Sequence, residues 1–365
     1  MQPVHEIVNE TALKAVAPVM PRPSSGMDHL FKKLLVFIPI GIIGNILFYF
    51  LATDNSLLRS VAHFSPVYIV MAMVLSVIPW FTGSLRLFLW SRFIKGTMRY
   101  QDTFKIVISA ELGAAVSPPM IGGCAVKIGM LMRQAFSGGA AMSLTMLESL
   151  EDCIFFIIMV PIALTVSSSW NLPIIKNVIG RLGYLSSWAM LGALCVGACI
   201  IAVFARQAGG LSQRFPLVRT ILDKMKGTCN NFTATYRSII REGKSIFALT
   251  MLLTSIQWIC RYSVVTLVLM SLGIAAQPVL FMALQVIVFA LMTFVPTPGG
   301  AGGAEAMFSL LYRPLLPDGV IGIVTACWRF LTFYFLLLLA SLLFLLFNMH
   351  QETAINKIRE ESALS

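Results

Sequence analysis

The chain has 365 residues, of which 58% are hydrophobic and only 12% charged, with a formal net charge of +11. A soluble domain carries about 25% charged residues, so this balance excludes an ordinary soluble fold and points to an integral membrane protein. The seven cysteines form no C-x-x-C pair, and the four histidines, His5, His29, His63 and His350, are scattered. No disulfide framework, metal site, P-loop or hydrolytic motif is legible, and neither a cofactor nor an enzyme activity is expected.

Residues 1–33 are polar and Pro-containing ("APVMPRPSSGMDH") and hold no apolar signal-peptide core. They read as a disordered cytoplasmic tail. The membrane domain then runs over 34–348, each crossing needing about 20 apolar residues. Six runs read as full crossings, at about 34–52, 68–90, 139–166, 186–205, 245–272 and 319–347. Two further apolar stretches, about 103–134 and 276–312, are interrupted by Pro and Gly. Each reads as a helix–break–helix element, either re-entrant or discontinuous. Residues 349–365 read as a second cytoplasmic tail. The expected fold is therefore an all-α polytopic bundle.

The charge is distributed as a membrane requires. With the N-terminus inside, the segments 1–33, 91–105, 206–244 and 349–365 carry four, four, eight and two Lys/Arg, whereas the outer segments hold only Arg59, Lys176, Arg181 and Arg313. This is positive-inside bias, so the positive charge signals topology and not nucleic acid. The basic 206–244 loop reads first as a solvated cytoplasmic loop, and second as a surface for anionic lipid.

Sliding the chain on itself by 180 residues lays "SPPMIGGCAVKIGMLMR" (117–133) on "TPGGAGGAEAMFSLLYR" (297–313). Pro118 meets Pro298, Gly122 and Gly123 meet Gly302 and Gly303, and Arg133 meets Arg313. Repeat one is then about 68–166 and repeat two about 245–347. An odd number of crossings separates the copies, so they face opposite ways through the bilayer. Inverted repeats with paired broken segments are the sequence signature of transporters that bind near the midplane.

The breaks and the charges at depth supply the candidate binding residues. A run such as Pro298, Gly299, Gly300, Gly302 cannot stay helical, and its backbone groups can face a ligand. Glu305 opens the half-helix that follows, where it either complements the helix start or binds a cation. Lys127 and Arg133 follow the first break. Glu148 and Asp152 lie four apart on one helix, and Arg261 and Arg329 sit within spans. A charge near the bilayer centre costs about 2.5–3.5 kcal/mol, so these groups must face one another or a wet cavity. Glu148 and Asp152 are candidate partners of Arg261 or Arg329. Glu111, Glu151 and Gln257 are further polar groups at depth. Arg86, toward the end of its helix, reads as a snorkelling cation.

At these residues the sequence resembles the lysylphosphatidylglycerol synthase/flippase transmembrane-domain family. "PTPGGAGGAEA" (296–306) and "WRFLT" (328–332) match its second-half signatures, and "LESLED" (147–152) and "GCAVK" (123–127) its first-half ones. The chain departs from the pattern at Ser149, where Arg is usual, and at Cys124, where an acid is usual. The resemblance covers about 68–348, and residues 349–365 are too few for an aminoacyl-transfer domain. It thus implies the membrane half: movement of a lipid, or a lipid-linked headgroup, between leaflets. Taken with the residues above, the expected activity is flipping of an anionic or phosphate-bearing lipid in the bacterial inner membrane, with Arg261 and Arg329 holding the headgroup as fixed cations, the glycine-rich breaks supplying backbone donors, and Glu305 and Glu148 binding a cationic group or a coupling proton. The partners expected are membrane lipids, with lipid- or glycan-synthesis enzymes as possible neighbours and the oligomeric state open. Two other classes fit the same sequence: a non-transporting partner of a synthesis complex, and a small-solute secondary transporter.

Overall fold

The computed structural model describes residues 65–94, 97–115, 117, 121–166, 241–292, 297–317 and 319–347, with the single positions 176 and 237. The spans read at 34–52 and 186–205, both tails and most of the 206–244 loop lie outside the described residues. Within them the fold is all-helical, with no strand.

Helix α1 (Pro66–Phe93) opens on a proline, whose missing N–H would have had no intrahelical partner there. Helices α2 (Tyr100–Ala115) and α3 (Ile121–Arg133) form a hairpin around the first break, and α4 (Gly138–Val166) follows. The second set is α5 (Lys244–Ser271), α6 (Pro278–Met292), α7 (Gly303–Tyr312) and α8 (Ile321–Phe347), the last with a π-helical turn at Phe330–Tyr334. The lengths run 28, 16, 13 and 29 residues, then 28, 15, 10 and 27. Three of the described helices, α1, α5 and α8, are long and apolar enough to cross a membrane.

Helices α1 and α5 pack side by side and antiparallel. The Ser65 N–H at the start of α1 donates to the Ser271 carbonyl at the end of α5, at 2.9 Å. Farther along, Gly83 of α1 faces Gln257 of α5. Both helices bury small polar residues: Ser76, Thr82, Ser84 and Ser91 on α1, and Thr250, Thr254 and Ser271 on α5. Their hydroxyls are satisfied within the helix, as in Ser84 Oγ to Trp80 O at 2.6 Å and Thr254 Oγ1 to Thr250 O at 2.8 Å. Small residues let backbones approach where lipid supplies no hydrophobic drive between helices.

Helices α2 and α3 pack closely at glycine. A Cβ on Gly122 would lie 2.0 Å from Ser117 Oγ and 2.5 Å from Gly113 O. The main apolar core lies between α5, α6, α7 and α8, where Val264, Val268, Leu284, Phe308, Val324 and Trp328 are buried together. There Phe308 stacks on Tyr312 (centroids 4.2 Å apart) and on Trp328 (4.5 Å), contacts worth about 0.5–1.5 kcal/mol each beyond burial. This core fixes α7 against α8, and so fixes the turn from which α7 starts.

Candidate functional site

The first polar cluster is built around Arg86. Its side chain is 2% exposed, so it does not snorkel. Its acceptors come from two other helices, α4 and α5, and the position of Arg86 along α1 gives no sign of them. Glu151 Oε2 sits in the guanidinium fork, 2.9 Å from Nε and 2.8 Å from Nη2. Nη1 donates to Asp152 Oδ1 and to Gln257 Oε1, both at 3.1 Å, and Nη2 to the Glu148 carbonyl at 2.9 Å. Glu151 is fully buried, and its other oxygen accepts from Trp90 Nε1 at 2.8 Å and Thr250 Oγ1 at 2.5 Å. Asp152 Oδ1 also accepts from Trp258 Nε1 at 2.9 Å. The cluster therefore knots α1, α4 and α5 together.

Lys127 of α3 joins its rim. Its ammonium pairs with Glu148 Oε2, while Glu148 Oε1 is buried without a partner. Glu148 and Asp152 thus both face this cluster, and their cations are Lys127 and Arg86, not Arg261 or Arg329.

The second cluster is the Gly-rich break. Between Met292 and Gly303 the backbone makes a short 3-10 turn at Pro298–Gly300. Gly299, Gly300 and Gly302 take φ of 60°, 68° and 79°, the left-handed region where glycine carries no Cβ penalty. A Cβ on Gly299 would meet the Phe333 ring at 2.4 Å. The Gly302 N–H donates to Glu305 Oε2 at 2.8 Å, so Glu305 caps the first turn of α7. Its other oxygen, Oε1, lies 2.9 Å from Arg329 Nε, although that N–H is not aligned on it. Arg329 Nη2 donates to Gly299 O at 2.6 Å, and the guanidinium lies 4.2 Å from the Phe333 ring centre. Arg329 is 3% exposed. It is a clamp on the break, engaged on three sides.

The two breaks touch. The Gly299 N–H donates to Ser117 O at 3.4 Å. Each is flanked by one ion pair joining the helix after the break to the next helix: Lys127–Glu148 joins α3 to α4, and Glu305–Arg329 joins α7 to α8. The signs are reversed between the two.

Arg261 is placed differently. It is half-buried on α5, and its guanidinium lies over the rings of Trp258 (5.7 Å) and Phe289 (5.8 Å). No carboxylate among the described residues pairs with it. Of the remaining candidates, Gly122 and Gly123 serve the α2–α3 contact, and Arg133 ends α3 exposed. Pro118 lies outside the described residues, and Pro298 begins the 3-10 turn. The residues that sequence reasoning missed are Arg86, Trp90, Thr250 and Trp258. One signal was present: "LESLED" carries three acids and needs cations near it.

A family model described as the lysylphosphatidylglycerol synthase TM region matches residues 35–340. The chain belongs to the lysylphosphatidylglycerol synthase transmembrane family. A UPF0104 membrane protein of Archaeoglobus fulgidus is 22% identical to it over 279 residues, covering 73% of this chain and 82% of that protein. Both polar clusters and Arg261 fall inside the region that defines the lysylphosphatidylglycerol synthase family in this chain.

Proposed function

We propose that this family member is a flippase-like transporter that moves an anionic or phosphate-bearing lipid between leaflets. The observation that carries the reading is Arg261. It is a guanidinium within an apolar helix, with about 15 Å of helix beyond it, and its donors are not spent on a carboxylate of the described residues. Arg presents a planar fork that matches phosphate oxygens, and the flanking aromatic rings hold it in place. Arg329, by contrast, is occupied, and its role is to hold the break.

The surrounding architecture supports the same reading. The helices of the two sets follow one another in the same order and at similar lengths, their leading members α1 and α5 run antiparallel, and the breaks meet. Inverted repeats facing each other across two broken helices would produce these features, and such transporters bind near the repeat interface. The proposed setting is multi-pass in a bacterial inner membrane with both termini cytoplasmic, which the Lys/Arg distribution favours.

The test is lipid translocation in proteoliposomes with headgroup-labelled anionic lipids. Wild type should move them, and Arg261→Gln should lose most of the rate while keeping its melting temperature. A wild type that moves no lipid but co-purifies with lipid- or glycan-synthesis enzymes would replace transport with a scaffolding role. Uptake of a soluble anion without lipid movement would make it a solute carrier.

A further inference from the structure

Two anomalies in the first cluster fall on one atom. Glu148 is 8% exposed. Its main-chain carbonyl is taken by Arg86 and its Oε2 by Lys127, yet Oε1 is buried and has no partner. A buried polar atom without a hydrogen bond loses its hydration with nothing in return, so each such atom calls for an explanation. The second anomaly is charge. Arg86 and Lys127 are the only cations at salt-bridge distance from three carboxylates, Glu148, Glu151 and Asp152, among the described residues.

The surplus negative charge can be located. Glu151 is saturated, by Arg86 on one oxygen and by Trp90 and Thr250 on the other. Asp152 has Arg86 and Trp258 on Oδ1, its side chain is 27% exposed against 11% for that of Glu148, and neither of its oxygens is both buried and unpaired. Helix α5 otherwise brings the neutral Gln257, with Arg261 on the ring of Trp258. Helix α2, packed on α3, brings Glu111, another acid. Only Glu148 combines a surplus charge with an empty buried oxygen. Glu305 is the opposite case: one carboxylate to one guanidinium, with Oε2 on a backbone N–H and Oε1 beside Arg329.

We infer that Glu148 Oε1 is an exchangeable proton site, and that its occupancy couples to transport. When the site fills, the five-group cluster goes from one net negative charge to none. Lys127 then shares its carboxylate, and the tie between α3 and α4 slackens beside the first break. The proton site stands on geometry alone, whereas the coupling rests on the transport reading above. Glu305 keeps its structural place at the other break.

The site is tested first without transport, on the full chain in nanodiscs. Infrared difference spectra between neutral and acidic pH should contain one buried carboxylic C=O band in wild type. It should vanish in Glu148→Gln and persist in Glu305→Gln. Should Glu148→Gln not fold, Glu148→Asp keeps a carboxylate and should shift the band instead. Absence of the band in wild type overturns the inference, as does a band unchanged in Glu148→Gln or Glu148→Asp. Coupling is then read in proteoliposomes: a proton gradient should accelerate wild type and leave Glu148→Gln unaffected. Equal acceleration of both refutes the coupling. No lipid movement by wild type removes the transport reading, while the spectra still decide the proton site.

Discussion

Arg86 shows what a buried cation does in this chain. Its guanidinium meets acceptors from residues 148, 151, 152 and 257, far away in sequence. Removing one partner of a buried ion pair costs about 3–5 kcal/mol, mostly because the other charge is left behind. Arg86→Gln should therefore strand the fully buried Glu151 and lower the melting temperature sharply, by a loss of that order. Arg86→Lys should recover only part of it, because an ammonium cannot hold Glu151 in a fork while reaching Asp152, Gln257 and the Glu148 carbonyl. Thermal unfolding of the purified protein in one detergent measures both, and an Arg86→Gln protein that melts like wild type would show the network to be dispensable. The sequence made the cost of these charges legible, as it did the acids at 148, 151 and 152. It did not make the pairing legible, because Arg86 is matched across helix faces that no one-dimensional period reports.

The broken segment is the element whose logic was clearest from residues alone. Proline followed by clustered glycine disfavours helix, and over 297–302 the chain is a bend, a 3-10 turn and a turn before α7 begins at Gly303. What surrounds the turn was not legible: Phe333 closes over Gly299, and Arg329 takes its carbonyl. The glycines should consequently differ in their tolerance of a side chain. At Gly299 an alanine meets both a positive φ and a ring at 2.4 Å, whereas at Gly302 a Cβ meets nothing within 4 Å and only the φ of 79° opposes it. Left-handed backbone alone costs about 1–2 kcal/mol for a residue with a Cβ. Gly302→Ala should lose about that much, and Gly299→Ala distinctly more. Gly299→Ala combined with Phe333→Ala should regain part of the difference. Melting temperatures of the three variants check this, and equal losses at Gly299 and Gly302 would remove Phe333 from the account. Glu305→Gln belongs to the same element. It keeps an acceptor for the Gly302 N–H but removes the charge beside the buried Arg329, so it too should destabilise the fold.

At the scale of the whole molecule, the apolar runs, the two interruptions and the charge bias were legible because a membrane writes them directly into composition. Helices α1, α4, α5 and α8 begin and end within a few residues of the apolar runs at 68–90, 139–166, 245–272 and 319–347. The α1–α5 contact was not legible, since its small polar residues carry no hydrophobic signal. That contact now makes the topology testable. Because α1 and α5 are antiparallel, the end of α1 and the start of α5 share one side of the bundle, where Arg92, Arg99, Arg241 and Lys244 lie. The start of α1 and the end of α5 share the other side, where Ser65 meets Ser271. Positive-inside bias assigns the first side to the cytoplasm. Single cysteines can be placed at Arg99, Glu242 and Ala275 in a background whose seven native cysteines are replaced. A membrane-impermeant maleimide added to intact cells should label Ala275→Cys and should reach Arg99→Cys and Glu242→Cys only after permeabilisation. If Ala275→Cys alone stays protected while the other two label, the bundle is as described but inverted in the membrane, and the charge argument is wrong. If Arg99→Cys and Glu242→Cys label from opposite sides, α1 and α5 are not antiparallel across the bilayer, and the inverted-repeat reading goes with them.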